Sequence, residues 1–400
     1  MENLSRKVAI VGVASQDISK AVIGKTALRM HVEASMAAIA DAGLKKSDID
    51  GIITPEGAAN PRTHMAFAEH MGLMDKPLCM SLPAGGGTCG LAIAIARWAI
   101  ASGTCRNVLI FGGGAMVGAA GRSAVGSGFT DFLALFPGHS KTYEQPFGPL
   151  ILSYYSVMAQ RHMYEYGTTA EQMAAVAVAA RKHASLNPEA IMRRPITVED
   201  VINSRMISTP FHLLDCCLNS DGVGALVLTS AENARNCRRP PVWLLGMGSN
   251  FSAYFMGSLA RPVPEKGLSL TSTVGRMAAQ RAFAEAGVRH QDIDFVQLYD
   301  NFTINPIIQL EDFGFCEKGE GGPFVEGGRI ELGGELPLNT YGGMLSFSFS
   351  PPGYMVWIEA VRQLRGECGP RQVKDAKIGL ACSVAGVIST FGGVGILAKD

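Results

Sequence analysis

The chain has 400 residues, of which 47% are hydrophobic and 47 are glycine. Such a composition is typical of a well-packed α/β enzyme and argues against a disordered chain. Lys and Arg together number 35, as do Asp and Glu, so no excess of basic charge indicates binding to nucleic acid.

The predicted elements alternate between strands and helices. Residues 7–15, KVAIVGVAS, predict a strand, and residues 36–52 predict a helix that ends at Gly43 and is followed by a second strand. A further helix begins at Gly90 and leads to the apolar strand NVLIFGGG at 107–114. The first part of the chain is therefore predicted to be an α/β unit.

The second part of the chain repeats this series. A strand at 241–249 is followed by a helix that ends at Gly287 and by the strand DFVQL at 294–298. Another helix begins at Gly353 and leads to the strand KIGLACSVAG at 377–386. The stretches DAGLKKSDID and EAGVRHQDID occupy corresponding places, which indicates an internal duplication. We expect two related halves, residues 1–240 and 241–400, with an inserted loop or cap region at about 115–215.

The N-terminus and the cysteines predict the compartment. MENLSRKVAIVGVA passes directly into a strand and does not resemble a signal peptide, and no apolar run reaches the about 18 residues of a membrane helix. Nine cysteines without a Cys-x-x-Cys pair are typical of reduced thiols, so we expect a cytoplasmic protein. None of the eight histidines has metal-ligand spacing, so we expect no metal site.

Three stretches carry a resemblance to a known family: HLLDCCLNSDGVGALVLTS at 212–230, QLYDNFT at 297–303 and GGRIELGGELPLNTYGGMLS at 327–346. Together with the duplication they resemble the thiolase superfamily over essentially the whole chain. The resemblance is strongest to the sterol-carrier-protein-x thiolases and the lipid-transfer-protein-type aldolases. It implies an α/β thiolase fold with five layers, αβαβα, and a homodimer formed through the N-terminal half.

The thiolase nucleophile is missing from its expected place. In the family a cysteine precedes a buried helix in a Cys-x-x-Gly motif, and in AGGGTCGL the alignment on Gly90 places Gly87 at the nucleophile position. Cys89 lies two residues further on, a rotation of about 200° around a helix, so a small core residue is the favoured interpretation. A cysteine nucleophile at Cys89 is the alternative.

The other thiolase groups have changed as well. The family motif Gly-His-Pro-x-Gly aligns with Phe349–Gly353, so Ser350 replaces the histidine, and no histidine follows His290. Cys382 lies near the expected position of a proton-shuttling cysteine but with different spacing, and is either its remnant or an ordinary strand residue. In place of these groups, Tyr299 in QLYDNFT and Tyr354 after the Pro-Pro-Gly turn occupy motif positions.

This pattern resembles the thiolase-like aldolases that cleave the side chain of steroid CoA thioesters, in which paired tyrosines take over proton transfer. Retro-aldol cleavage of a 3-hydroxyacyl-CoA needs proton transfer and enolate stabilisation but no covalent acyl acceptor. Tyr299 and Tyr354 are therefore the predicted catalytic residues. Which of them is the acid and which the base remains open, as does a packing role for each.

Several residues are expected to line the thioester site or to support it. Gly87, Cys89, Gly343 and Ser350 are the predicted substrate- or CoA-binding positions, with capping of the Pro-Pro-Gly turn as the alternative for Ser350. Asp300 is expected to cap the turn that follows it. The serines of 346–350 alternate, which predicts a strand or extended loop with the hydroxyls on one face. The aromatic-rich stretch 129–155 is expected to line an acyl pocket or to form a dimer or partner surface.

The sequence therefore predicts an aldolase that cleaves a 3-hydroxyacyl-CoA, with a steroid or bile-acid side chain as the implied substrate. CoA is expected as part of the substrate, and no bound cofactor is predicted. The resemblance implies a small partner protein with an OB-fold and a zinc ribbon. Two alternatives stay open: an acyl-CoA acyltransferase that uses Cys89, and a non-catalytic acyl-CoA-binding subunit.

Overall fold

The computed structural model describes residues 3–55, 62–82, 85–115, 117–118, 151–251, 269–385 and 391–400. The strands are β1 Val8–Ser19, β2 Gly51–Pro55, β3 Leu78–Leu82, β4 Asn107–Gly114, β5 Met206–Ser208, β6 Phe211–His212, β7 Asp221–Ser230, β8 Val242–Phe251, β9 Phe295–Gln297, β10 Ile378–Val384 and β11 Phe391–Ala398. The helices are α1 Ala27–Ala42, α2 Thr63–Met71, α3 Thr88–Ala101, α4 Ile151–Tyr166, α5 Ala170–Ser185, α6 Val198–Ile202, α7 Ala231–Ala234, α8 Gly275–Ala286, α9 Ile304–Asp312, α10 Gly321–Phe324 and α11 Met355–Arg365.

Nine strands form one mixed sheet in the order β3-β2-β4-β7-β1-β8-β11-β10-β9. The two halves of the sheet meet where β1 pairs antiparallel with β8. From this seam outward, β7, β4 and β2 follow β1, and β11, β10 and β9 follow β8, with the same parallel and antiparallel relations. Leu338 pairs in parallel with Val296 at the place that β3 takes beside β2. The strand order thus occurs twice.

Helices pack on both sides of each half of the sheet. Helix α3 contacts both β4 and β11, and α11 contacts both β10 and β1, so this pair lies between the two half-sheets. Helix α1 packs on β1 and β7, and α8 packs on β8 and β11, on the outer faces. These layers follow the order αβαβα, so the predicted fold is confirmed. The boundaries of the two halves and of the inserted region remain predictions.

Glycines allow the central helix to pack closely and the outer helices to end. A Cβ atom on Gly90 of α3 would lie 2.8 Å from the Cα of Gly393 on β11, so only glycine permits this approach. Gly43 and Gly287 end α1 and α8 with φ angles of 74° and 66°, a left-handed conformation that glycine adopts without strain. Both helix ends were predicted from the sequence.

One local prediction was wrong in part: within 346–350, Ser346 and Phe347 are not extended, whereas Ser348 has the extended backbone expected. Residues Gly343–Phe347 form a short helical turn of the wide π type, not an extended segment. The serines have different partners: Ser346 accepts a hydrogen bond from Arg181, whereas Ser350 donates to the carbonyl of Gly222. Gly342 and Gly343, with φ angles of 109° and 64°, supply the left-handed backbone that starts this turn. The alternation of serine and phenylalanine could not by itself predict a helical turn at this place.

Most of the aromatic-rich stretch 129–155 lies outside the described residues; only its last five residues fall in α4.

Within the described part of the chain, no helix combines the length and apolarity that crossing a bilayer would require.

Candidate active site

The candidate site lies around the backbone of Gly86, where two other segments approach the loop that contains this residue. Gly85–Gly87 forms a single tight turn directly before α3, and the hydroxyl of Thr88 donates to the carbonyl of Gly85 at 2.7 Å. A Cβ atom on Gly86 would lie 2.3 Å from the phenolic oxygen of Tyr299. A Cβ atom on Gly353 would lie 2.5 Å from the carbonyl oxygen of Gly86. The predicted nucleophile loop, the Tyr299 segment and the Pro-Pro-Gly turn therefore meet at one point.

Tyr299 follows β9 and is held through its backbone. Its amide donates to Oε1 of Gln309 at 3.2 Å, and its carbonyl accepts from Nε2 of the same side chain at 2.8 Å. The residue is 2% exposed, and burial raises the pKa of its phenol well above the usual value. Among the described residues, no hydrogen-bond partner is found for the Tyr299 hydroxyl. At neutral pH it is therefore a protonated phenol at Gly86, suited to donate a proton.

Tyr354 stands directly before α11 in different surroundings. Its hydroxyl donates to the carbonyl oxygen of Phe111 at 3.0 Å. A Cβ atom on Gly112 would lie 2.5 Å from the same hydroxyl, so the phenol packs closely against β4. Burial raises its pKa well above the usual value, so this phenol is also protonated. The hydroxyl proton of Tyr354 is therefore already used in the hydrogen bond to the Phe111 carbonyl.

The two cysteines considered from the sequence are buried thiols. Cys89, the second residue of α3, is fully buried in the core, and burial raises its pKa well above the usual value, which opposes formation of a thiolate nucleophile. Cys382 on β10 is also fully buried, and its thiol donates to Oε1 of Gln309 at 3.0 Å. Burial raises the pKa of Cys382 to about 12. Both sulfurs are therefore protonated at neutral pH.

Asp300 binds a different segment from the one expected. One carboxylate oxygen accepts from the backbone amide of Met344 at 2.8 Å, in the turn Gly343–Phe347 and not in the turn after Asp300. The other oxygen would lie only 1.8 Å from a Cβ atom on Gly343, so this position requires glycine. Burial raises the pKa of Asp300 to about 7. Gly343 thus contacts the residue next to Tyr299.

The other predicted binding positions have structural neighbours. Gly87, the residue that directly precedes α3, is buried. Ser350 is fully buried and donates to the carbonyl of Gly222 at 2.8 Å, and its own carbonyl accepts from the hydroxyl of Ser348 at 2.7 Å. The hydroxyl of Ser350 therefore joins its own segment to the distant strand β7 and does not cap the Pro-Pro-Gly turn itself. Contact of any of these residues with CoA stays a prediction.

Two residues near Tyr299 were not singled out from the sequence. Gln309 on α9 joins Tyr299 to Cys382. Tyr155 on α4 is fully buried, donates to the carbonyl of Ala385, and packs with its ring tilted by 36° against Phe302, the ring centroids lying 4.5 Å apart. Tyr155 was visible only as part of an aromatic-rich stretch, and a single glutamine in a helix carries no sequence signal of its own.

A metal centre finds no support in the described residues, where no three His, Cys, Asp or Glu side chains are grouped so as to hold an ion. The absence of a metal and of a bound cofactor remains a prediction.

Comparison with known proteins agrees with this fold. A family model described as thiolase C-terminal domain-like matches residues 265–398. A 17-hydroxy-3-oxo-4-pregnene-20-carboxyl-CoA lyase of Mycobacterium tuberculosis is 37% identical, covering 91% of this chain and 92% of the relative. An acetyl-CoA acetyltransferase of Methanothermobacter thermautotrophicus is 35% identical, covering 96% of this chain and 98% of the relative. A solved structure titled Ltp2-ChsH2(DUF35) aldolase is 34% identical with a TM-score of 0.87, covering 100% of this chain and 99% of the other.

The fold and the converging site loops define an α/β protein of the thiolase class, and the chain belongs to the thiolase superfamily. Within it, the chain is a thiolase-like protein of the sterol-carrier-protein-x and lipid-transfer-protein type, and aldolases that cleave steroid side chains are among its relatives.

Proposed function

We propose that this protein is an aldolase that cleaves a 3-hydroxyacyl-CoA by a retro-aldol reaction. The β-hydroxyl gives its proton to a tyrosine oxygen as that phenol's own proton passes towards the α-carbon, so no free phenolate is required. The oxygen of the substrate forms a carbonyl, and the Cα–Cβ bond breaks to leave its electron pair on the thioester enolate. A proton then adds to the α-carbon, giving a ketone or aldehyde and a short acyl-CoA. The sum of these steps consumes no free CoA and needs no covalent acyl-enzyme.

The observation that carries this proposal is the replacement of a thiol by a phenol at the site. The predicted nucleophile position is Gly87, and the nearby Cys89 is a fully buried thiol with a raised pKa. Tyr299 instead presents its hydroxyl to Gly86. A thiolase without a reactive thiolate cannot form the acyl-enzyme, whereas an aldolase requires only proton transfer and enolate stabilisation.

Tyr299 and Tyr354 are the proposed proton-transferring residues. Their raised pKa values favour the neutral phenol, so each is better suited to donate a proton than to accept one. Tyr299 is the stronger candidate for protonating the enolate, because the described residues leave its hydroxyl without a partner. Tyr354 would have to exchange its bond to the Phe111 carbonyl for a bond to substrate.

The proposed substrate carries a bulky, steroid-like side chain. The support is the similarity to a lyase named for 17-hydroxy-3-oxo-4-pregnene-20-carboxyl-CoA, together with the solved aldolase. CoA is then part of the substrate and is not a resident cofactor.

Partners and compartment follow as proposals of the same kind. The solved aldolase is titled as an assembly with a DUF35 protein, which supports a small OB-fold and zinc-ribbon partner for this chain. The edge strand β3, half-buried over most of its length, pairs only with β2 among the described strands, which supports a homodimer formed through the N-terminal half. All nine cysteines are free thiols, which supports a cytoplasmic location.

The test is turnover of 17-hydroxy-3-oxo-4-pregnene-20-carboxyl-CoA by the purified chain together with its candidate DUF35-type partner. Products are separated and identified with and without free CoA. We expect a ketone and propionyl-CoA to form equally in both conditions. Acyl-CoA formation that depends strictly on added CoA would contradict the proposal.

A second candidate is an acyl-CoA acyltransferase, favoured by the similarity to the archaeal acetyl-CoA acetyltransferase. It requires a cysteine nucleophile, for which Cys89 is the available residue beside the Gly85–Gly87 turn. This candidate predicts that Cys89→Ala abolishes acyl transfer and that an acyl-enzyme accumulates in the absence of an acceptor thiol. Mass spectrometry of the intact chain after brief exposure to acyl-CoA detects that intermediate directly.

A further inference from the structure

We propose that Gln309 is a positioning residue that fixes Tyr299 against the Gly85–Gly87 turn and ties it to Cys382. This inference rests on the proposed function, since it assigns Gln309 a role in the same retro-aldol reaction.

The geometry of one carboxamide supports the first half of this proposal. Nε2 of Gln309 donates to the Tyr299 carbonyl at 2.8 Å, and Oε1 accepts from the Tyr299 amide at 3.2 Å. Both polar groups of the Tyr299 backbone are thus held by a single side chain. The neighbouring strand β9 ends at Gln297, so Tyr299 lies beyond the regular ladder and needs another source of hydrogen bonds.

The third contact extends the arrangement to β10. Oε1 of Gln309 also accepts from the thiol of Cys382 at 3.0 Å. Gln309 and Cys382 are both fully buried. A buried amide with all of these bonds made cannot rotate without leaving polar groups unpaired, at a cost of about 1–3 kcal/mol each. The contact also directs the Cys382 proton towards Gln309.

The role of Gln309 in the reaction follows from how closely the Tyr299 hydroxyl approaches Gly86. A phenol that must donate a proton is effective only within hydrogen-bond reach of the reacting atom. Displacement of such a group by about 1 Å can cost about 10²-fold in rate. Gln309 contacts the backbone of Tyr299 and not its phenol, so it acts through Tyr299 and is not itself catalytic.

The chain offers a matched control in Gln363 on α11. It is also buried, donates from Nε2 to the Arg371 carbonyl at 2.8 Å, and accepts at Oε1 from the Val373 amide at 2.9 Å. Gln363 thus also holds backbone with both ends of its amide, and its Nε2 donates in addition to Oε1 of Glu359 at 3.2 Å. Its hydrogen-bond partners in the described residues do not include Tyr299 or Cys382. Substitutions at the two glutamines therefore separate a positioning role from simple loss of a buried amide.

The experiment compares Gln309→Glu and Gln363→Glu in the full protein with its partner. An ionised carboxylate at 309 cannot donate to the Tyr299 carbonyl, whereas the protonated acid can, so kcat should recover as pH falls through the raised pKa of the buried acid. We expect Gln309→Glu to lower kcat by about 10²-fold at pH 8, with a smaller change in KM and partial recovery at lower pH. Gln363→Glu places a carboxylate beside Glu359, so it should lose stability, without this kcat profile.

A second readout does not depend on turnover. The infrared S–H stretching band of Cys382, assigned by its loss in Cys382→Ala, should move to higher frequency in Gln309→Leu because the thiol loses its acceptor. If the unaltered protein fails to cleave the CoA thioester, the proposed function fails, and this band still decides whether Gln309 holds Cys382. An unmoved band overturns the proposal. So does a kcat for Gln309→Glu that matches Gln363→Glu at every pH.

Discussion

Tyr299 and Tyr354 occupy the two motif positions that the sequence treats as equal, yet the structure surrounds them differently. Tyr299 is held through its backbone by Gln309 and presents its hydroxyl to Gly86. Tyr354 uses its hydroxyl on the Phe111 carbonyl and lies against Gly112. Both phenols have raised pKa values because both are buried. Within the described residues, the Tyr354 hydroxyl has an acceptor and the Tyr299 hydroxyl has none, and this ranks Tyr299 first for proton transfer.

The largest expected effect is that of Tyr299→Phe, which removes the phenolic hydroxyl and keeps the ring. A positioned acid–base group contributes about 10²–10⁴-fold, so kcat for retro-aldol cleavage should fall by that factor. The unfolding free energy should change little, because no described residue bonds to that hydroxyl. Tyr354→Phe, measured in parallel, should lower kcat by a smaller factor. Equal losses would remove the distinction between the two tyrosines.

Alanine at the two facing glycines should separate the same two regions. Gly86→Ala places a methyl group 2.3 Å from the Tyr299 hydroxyl, so displacement of the phenol should lower kcat by about 10²-fold. Gly112→Ala places a methyl group 2.5 Å from the Tyr354 hydroxyl, and overpacking should lower the unfolding free energy by about 1–3 kcal/mol. Kinetics and urea unfolding of both variants check this contrast. A larger kcat loss in Gly112→Ala than in Gly86→Ala would contradict the ranking.

A smaller effect concerns the bond that Tyr354 makes. Tyr354→Phe leaves the buried Phe111 carbonyl without that donor, which should lower the unfolding free energy by about 0.5–1.5 kcal/mol. Tyr299→Phe, a substitution of the same kind, is the matched control and should be nearly neutral. Urea unfolding at one pH is sufficient, and a reversed order of the two stabilities would show that the hydroxyls are partnered differently.

The carboxyl group beside Tyr299 predicts a pH dependence of stability. Asp300 has a folded-state pKa of about 7, raised by burial from 3.8, so its stabilising contribution is complete below about pH 4 and is lost as pH rises through about 7. The loss should approach about 1.4 kcal/mol per pH unit at most between these values. Asp300→Asn should remove it, whereas Tyr299→Phe should retain it. Unfolding free energies at pH 5, 6, 7 and 8 measure the slope, and identical slopes in Asp300→Asn and the unaltered protein would contradict the shift.

Much of the fold could be predicted because its signals are local and repeated. Gly43 and Gly287 each end a helix before the same Asp-Ile-Asp sequence, and the doubled strand order follows from that duplication. The turn Gly343–Phe347 could not be predicted, since alternating serines fit an extended chain equally well. Its conformation depends on left-handed glycines and on the distant carboxylate of Asp300.

The sequence could name candidate site residues but could not give their contacts. Motif position identified Tyr299 and Tyr354, because both follow recognisable strand or turn signals. Sequence cannot show which hydroxyl a distant carbonyl accepts from, and Phe111 lies more than 240 residues from Tyr354. Gln309 was missed for the same reason. Its contacts with Tyr299 and Cys382 exist only because α9 packs beside the segments that carry those two residues.

The most direct test of the central claim, that a phenol and not a thiol performs the chemistry, is to compare Cys89→Ala with Tyr299→Phe. Release of propionyl-CoA from the steroid CoA thioester is measured without free CoA, at matched protein concentration and with the partner present. The predicted result is a kcat close to that of the unaltered protein for Cys89→Ala and a loss of about 10²-fold or more for Tyr299→Phe. Loss of activity in Cys89→Ala with activity retained in Tyr299→Phe would contradict the account.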